Sequence, residues 1–175
     1  LFSDLGRFTM HLFLVRHGHA VDVQSSGLGS DAKRVLSDKG LVRTRQAARG
    51  FAVLETPVSR IVSSPLIRAR QTAEIFAEEL GYTGRMIIRE ELEPGADPSA
   101  LLPWLRGLTE RPTMLVGHMP NVAVLSGLLV CGSDVTDFRF KKTSVCCLSI
   151  DRGLLPGTAC VDSFIPPSVL RRLAV

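Results

Sequence analysis

The chain has 175 residues, 45% hydrophobic and 22% charged, with a formal net charge of +4. That length suits one domain with a substantial core and excludes two comfortable ones. No apolar run approaches the roughly 20 residues of a bilayer span, and the start lacks a charged stretch followed by a long apolar one, so neither a membrane protein nor a secretion signal is expected. The basic surplus favours anionic ligands. Lys and Arg are nevertheless spread along the chain, and one Trp and one Tyr offer little base-stacking surface, which argues against nucleic acid. The cysteines, Cys131, Cys146, Cys147 and Cys160, lack CxxC spacing and are expected to be free thiols in a reducing cytoplasm, three of them buried in apolar surroundings.

In chain order, residues 1–9 precede the first strand pattern and are expected to be a loose or added extension, with one domain over residues 10–175. Residues 10–16 form a short apolar strand candidate ending at His17-Gly18, and residues 21–34, rich in Ser and Gly, read as a loop. Ser37 is placed to cap a helix over residues 38–54, with Leu41, Ala48 and Phe51 or Ala52 on its apolar face. A strand over residues 59–63 leads to a helix over 65–80, opened by Pro65 and ended by Gly81. A third strand is expected over 85–89 and a helix from Asp97-Pro98 to Leu108, with Pro103 inside it. Residues 113–116 read as a strand, 117–120 as a turn and 121–130 as a helix. Two late strands, 145–150 and 159–164, suggest a hairpin, and Pro167 opens a terminal helix.

Strands alternating with helical crossovers imply an α/β protein, a three-layer α/β/α sandwich with a largely parallel central sheet. Ligands in such sheets bind beyond the carboxyl ends of the strands. Three strands end in polar sequence there: Arg16-His17-Gly18, Ser63-Ser64-Pro65 and Gly117-His118. The fold therefore predicts one pocket holding both His17 and His118.

Those residue types suit phosphoryl transfer without a metal. A phosphate needs fixed cations, and arginine stays charged and pairs phosphate oxygens bidentately. A neutral imidazole can attack phosphorus near pH 7. Arg16 and His17 supply a cation and a nucleophile, Arg68 adds a cation near a helix start, and His118, if protonated, bonds a non-bridging oxygen. Arg70, nearly opposite on the same helix, reads as a surface charge, and His11 as structural.

The run Leu14-Val15-Arg16-His17-Gly18, the long segment from Ser63 to Ala73, and Leu115-Val116-Gly117-His118 resemble, in the same order, the three motifs of the histidine phosphatase superfamily, the phosphoglycerate mutase-like group. Leu36-Ser37-Asp38-Lys39-Gly40 resembles that group's usual helix start. The resemblance implies the phosphoglycerate mutase-like sandwich, a phosphohistidine formed on His17, a phosphate pocket of Arg16, Arg68 and His118, and no metal or other cofactor. The short stretch between the second and third motifs, with Glu90-Glu91-Leu92-Glu93 and the late Phe140-Lys141-Lys142-Thr143-Ser144-Val145, is similar to the SixA-type phosphohistidine phosphatases. It implies a phosphohistidine on a signalling protein domain as substrate. A small phosphate ester is the first alternative and a non-catalytic phosphoprotein-binding module the second. An ester needs a proton donor for its leaving oxygen, for which Glu90, Glu91 and Glu93 are the candidates. Arg34, His19 and Glu91 are secondary candidates for substrate contact, and the 21–34 loop is a candidate lid.

Overall fold

The structure is a computed structural model that describes residues 9–22, 31–108, 111–134, 137–151 and 153–174. Most of the expected terminal extension, the middle of the 21–34 loop and its role as a lid lie outside the described residues. Thr9 itself is tied down, its hydroxyl donating to Asp151 Oδ1 at 2.7 Å.

Six strands form one sheet: β1 (Met10–Arg16), β2 (Arg60–Ser63), β3 (Ile87–Ile88), β4 (Thr113–Gly117), β5 (Val145–Ile150) and β6 (Ala159–Ile165), in the order β3-β2-β4-β1-β5-β6. β3, β2, β4 and β1 run parallel, while β5 is antiparallel to both β1 and β6. The helices are α1 (Asp38–Ala52), α2 (Ile67–Glu79), α3 (Leu102–Arg106), α4 (Asn121–Cys131) and α5 (Pro167–Leu173). None of the helices among the described residues is long and apolar enough to cross a membrane.

The alternation of β1 divides the core. Phe13 and Val15 face one layer, where they pack with Ala47, Phe51, Ala69, Phe76 and Leu170 from α1, α2 and α5. Leu12 and Leu14 face the other, with Leu101, Leu105, Val122 and Leu129 from the α3 and α4 side. This is the expected α/β/α sandwich. Side chains buried as fully as Phe51 and Phe76 each contribute about 2–3 kcal/mol through apolar surface removed from water.

Several boundaries differ from expectation, each for a local reason. The helix expected from Pro65 begins at Ile67, because Ser64 Oγ accepts from the Leu66 amide at 3.3 Å and holds the chain in a turn first. The expected 97–108 helix is a 3-10 turn, Pro98–Leu101, running into α3. Pro103 has no N–H, so the α-helical bond to Ser99 cannot form. The 85–89 strand shrinks to β3, a two-residue edge paired only with β2. On α1 the buried stripe is Gly40, Thr44, Ala47, Ala48 and Phe51, which leaves Leu41 exposed. Cys146 and Cys147 are buried, but Cys131 and Cys160 are exposed, so two thiols rather than three are sheltered.

Candidate active site

The register of the sheet brings the three motifs together. Arg16 pairs with Gly117 across β1 and β4, so His17 and His118 leave the sheet side by side, their ring centroids 4.8 Å apart. On the other side of β4, Ser63 pairs with Val116, which sets Ser64 beside His118, and His118 Nε2 is hydrogen-bonded to Ser64 Oγ at 2.9 Å. Backbone bonds lace these ends: the His17 amide donates to Gly117 O and the Ser64 amide to Val116 O, each at 3.0 Å.

His17 is 4% exposed. Its Nδ1–H donates to the Gly18 carbonyl at 2.7 Å, which leaves Nε2 as the bare nitrogen. Lys142 Nζ reaches that nitrogen at 3.1 Å. Gly18 is required here, because a Cβ would stand 2.3 Å from Thr44 Oγ1, while the Gly18 amide donates to Thr72 Oγ1 at 3.0 Å. Arg68 is 3% exposed, and its guanidinium donates to Asp31 O at 2.7 Å and to Asp31 Oδ2 at 2.8 Å. Arg16 donates to Phe140 O at 2.7 Å. Among the described residues, three buried nitrogens in this cluster have no hydrogen-bond partner: Arg16 Nε, Arg68 Nε and His118 Nδ1.

Burial and neighbouring cations fix the protonation of the pocket. Burial first, then Lys142, His118 and Arg68, push the His17 imidazole down to about 2. Burial, then Arg68 and Lys142, push His118 down to about 3. Both rings are therefore neutral at pH 7. The protonated His118 expected from sequence requires an arriving anion to offset those cations. Burial and the charges of Arg16, Arg68 and Arg34 bring the Lys142 ammonium down to about 8. Lys142 owes its inward position to a tight turn in which Thr143, 2% exposed, adopts a left-handed φ of 65° and its amide donates to Arg16 O at 2.9 Å. A non-glycine residue held there costs about 1 kcal/mol.

A model of the histidine phosphatase superfamily, branch 1, matches residues 12–93. An uncharacterized protein of Picosynechococcus sp. is 34% identical over 140 residues, 78% of this chain and 82% of that protein. The phosphohistidine phosphatase SixA of Escherichia coli is 26% identical over 145 residues, 81% of this chain and 86% of its own. The structure of the protein histidine phosphatase SixA complexed with tungstate superposes with a TM-score of 0.79 at 24% identity, over 92% of this chain and 99% of that one. The chain belongs to the histidine phosphatase superfamily.

In this phosphatase the secondary candidates fall in three places. Arg34 donates to Val21 O at 2.6 Å and to Asp31 Oδ1 at 2.9 Å, so it props the carboxylate that holds Arg68. Glu91 lines a separate cleft of about 590 Å³ with Ile88, Arg89, Glu90, Asp97 and Ala100, to which none of the four motif residues contributes. Burial raises the Glu91 carboxyl, but two hydrogen bonds from Arg89 outweigh it and hold it below the usual carboxylate range, a poor setting for a proton donor. His19 is exposed, in a basic cleft beside the pocket. Sequence reasoning missed Lys142 and Asp31. Only the position of Lys142 before a strand could have signalled it, since its contact with His17 spans 125 residues of chain. Among the described residues no group of three or more His, Cys, Asp or Glu side chains is placed to hold a metal.

Proposed function

We propose that this phosphatase removes phosphate from a phosphohistidine on a protein, through a phosphohistidine formed on its own His17. The observation that carries the reading is a neutral imidazole, its Nδ1–H committed to Gly18 O, standing among buried Arg16, Arg68 and His118 nitrogens that lack partners. The two guanidinium N–H groups are donors that suit acceptor oxygens, and His118 Nδ1 becomes one once its ring is protonated.

In the first step the Nε2 lone pair of His17 attacks phosphorus and the bond from phosphorus to the substrate imidazole breaks. The departing nitrogen lies opposite His17 across phosphorus and takes its proton from solvent. Arg16, Arg68 and Lys142 hold the equatorial oxygens, and the phosphate charge lets His118 take up a proton and donate as well. In the second step water attacks phosphorus, its hydroxyl stays on phosphorus while its other proton returns to solvent, the bond to Nε2 breaks, and inorganic phosphate leaves. An imidazole is a much better leaving group than an alkoxide, which suits a site whose sequence candidate for an acid, Glu91, is ion-paired with Arg89.

The experiment is trapping. Brief mixing with a peptide carrying radiolabelled phosphohistidine, followed by alkaline quench, is expected to leave an acid-labile label on the peptide fragment containing His17, and His17→Ala is expected to abolish both label and turnover. A His17→Ala protein that still hydrolysed the peptide would overturn the mechanism. Faster hydrolysis of sugar phosphates than of the peptide would move the assignment to a phosphate ester.

A further inference from the structure

Beside the phosphate pocket lies an open cleft of about 360 Å³ whose charged lining is wholly cationic, Arg16, Arg43, Lys141, Lys142 and Arg171, with His19 among them. Three separate parts of the fold supply the outer charges. Arg43 comes from α1, Arg171 from α5, and Lys141 from the turn before β5. These parts are held in fixed relation, since α5 sits on α1 so closely that a Cβ on Gly50 would lie 1.7 Å from Leu170 O.

Among the described residues the outer charges of this cleft have no ion-pair partner, in contrast to neighbouring cations of the same helical layer. Elsewhere on α1, Arg45 pairs with Glu78 and Glu79, and Arg49 pairs with Glu79; on α2, Arg70 pairs with Glu74. No carboxylate among the described residues forms an ion pair with Arg43, Lys141 or Arg171. The resulting field is felt by His19. Although exposed, its imidazole is pushed down by burial and then by Lys142, Arg43, Lys39 and Arg16 in turn. Arg16 and Lys142 line this cleft and also belong to the cluster around His17, so the cleft opens directly onto the phosphate site.

We propose that this cleft docks carboxylate side chains that flank the phosphoryl group on an acidic protein surface, so that the substrate is selected by its acidic neighbourhood. The proposal rests on the reading above that the phosphoryl group is carried by a protein. The cations are spread over three elements, a reach that fits several carboxylates on a protein face better than one small ligand. Among the described residues no Phe, Tyr or Trp lines the cleft, which sets it apart from the stacking platform of a single-stranded nucleic-acid groove.

The test uses binding, which does not depend on turnover. Fluorescent peptides carrying a non-hydrolysable triazole phosphonate in place of phosphohistidine, flanked on both sides by Glu or by Ala, are titrated at low salt and followed by anisotropy. The unaltered protein is expected to bind the Glu-flanked peptide about tenfold more tightly than the Ala-flanked one, as two or three exposed ion pairs provide. Arg43→Gln with Arg171→Gln is expected to erase that preference, and Arg43→Lys with Arg171→Lys to keep it. Hydrolysis of p-nitrophenyl phosphate, which spans only the phosphate pocket, is expected to remain unchanged in both double variants and reports that they are folded. Equal affinity of the unaltered protein for the two peptides, or a preference that survives the Gln variants, overturns the proposal. So does tighter binding of a single-stranded oligonucleotide than of the Glu-flanked peptide. If the protein failed to hydrolyse phosphohistidine peptides, the reading of its function would fall, while the anisotropy ratio would still decide whether the cleft recognises carboxylates.

Discussion

The neutral histidines make this fold sensitive to mild acid. In the unfolded chain both imidazoles titrate near 6.5, whereas the fold holds them at about 2 and about 3. Below pH 6.5 the unfolded chain therefore binds more protons, and stability falls as pH drops from there towards the folded values. Each unit of pH below 6.5 removes about 1.4 kcal/mol per histidine. At pH 5 that is about 2 kcal/mol for each ring and about 4 kcal/mol for the pair, a large part of a typical total of about 5–15 kcal/mol. The side chains are 4% and 2% exposed, so solvent screening takes little away. Urea unfolding at pH 7.5 and pH 5, in buffers free of phosphate and sulfate, measures the difference. The carboxylates that the fold holds low, Asp31 and Glu79 among them, lose their contribution only below about pH 4.5, outside this window. His17→Gln with His118→Gln should flatten the dependence, and millimolar inorganic phosphate should restore stability to the unaltered protein at pH 5, because a bound anion lets His118 protonate within the fold. A loss smaller than about 1 kcal/mol, or an equal loss in the double variant, would refute the assignment of neutral rings.

Lys142→Met removes a cation that helps to hold both imidazoles low, so their folded-state values should rise towards 6.5 and the acid-induced loss of stability should shrink and level off at higher pH, while kcat/KM for phosphohistidine peptide falls about a hundredfold. Asp31→Asn frees Arg68 from a competing anion, and inhibition by inorganic phosphate in steady-state assays should tighten about fivefold. Gly50→Ala forces a Cβ against the Leu170 carbonyl, and urea unfolding should show about 3 kcal/mol of destabilisation with the phosphate pocket still formed in the folded fraction.

Much of the sheet and of the pocket is legible in the sequence, for reasons that differ from residue to residue. Arg16-His17, Ser64 and His118 each stand at the carboxyl end of an apolar strand, and in a parallel sheet that fact alone predicts that they meet. Where sequence reasoning fails, contacts distant along the chain make the decision. Lys142 and Asp31 reach the site from turns with no periodicity, across 125 and 37 residues respectively. Glu91 lies in an acidic run that any reading would nominate, but its fate is set two residues away, where Arg89 takes its carboxylate while lying over Trp104. Leu41 misses the core because one hydrophobic residue cannot fix the phase of a helix; the small residues Gly40, Thr44 and Ala48 carry the true stripe.

The backbone bonds that join His17 to Gly117 and Ser64 to Val116 have a consequence for how such a protein diversifies. These motif residues are stitched into the rungs of the sheet, and a one-residue slip of β1 on β4 would shift His17 by about 3.3 Å and send neighbouring side chains to the opposite layer. A chain that reaches this fold therefore arrives with its chemistry assembled. Surface turns and the outer ends of helices stay free to vary, so partners can be exchanged over evolutionary time while the bond being broken stays the same.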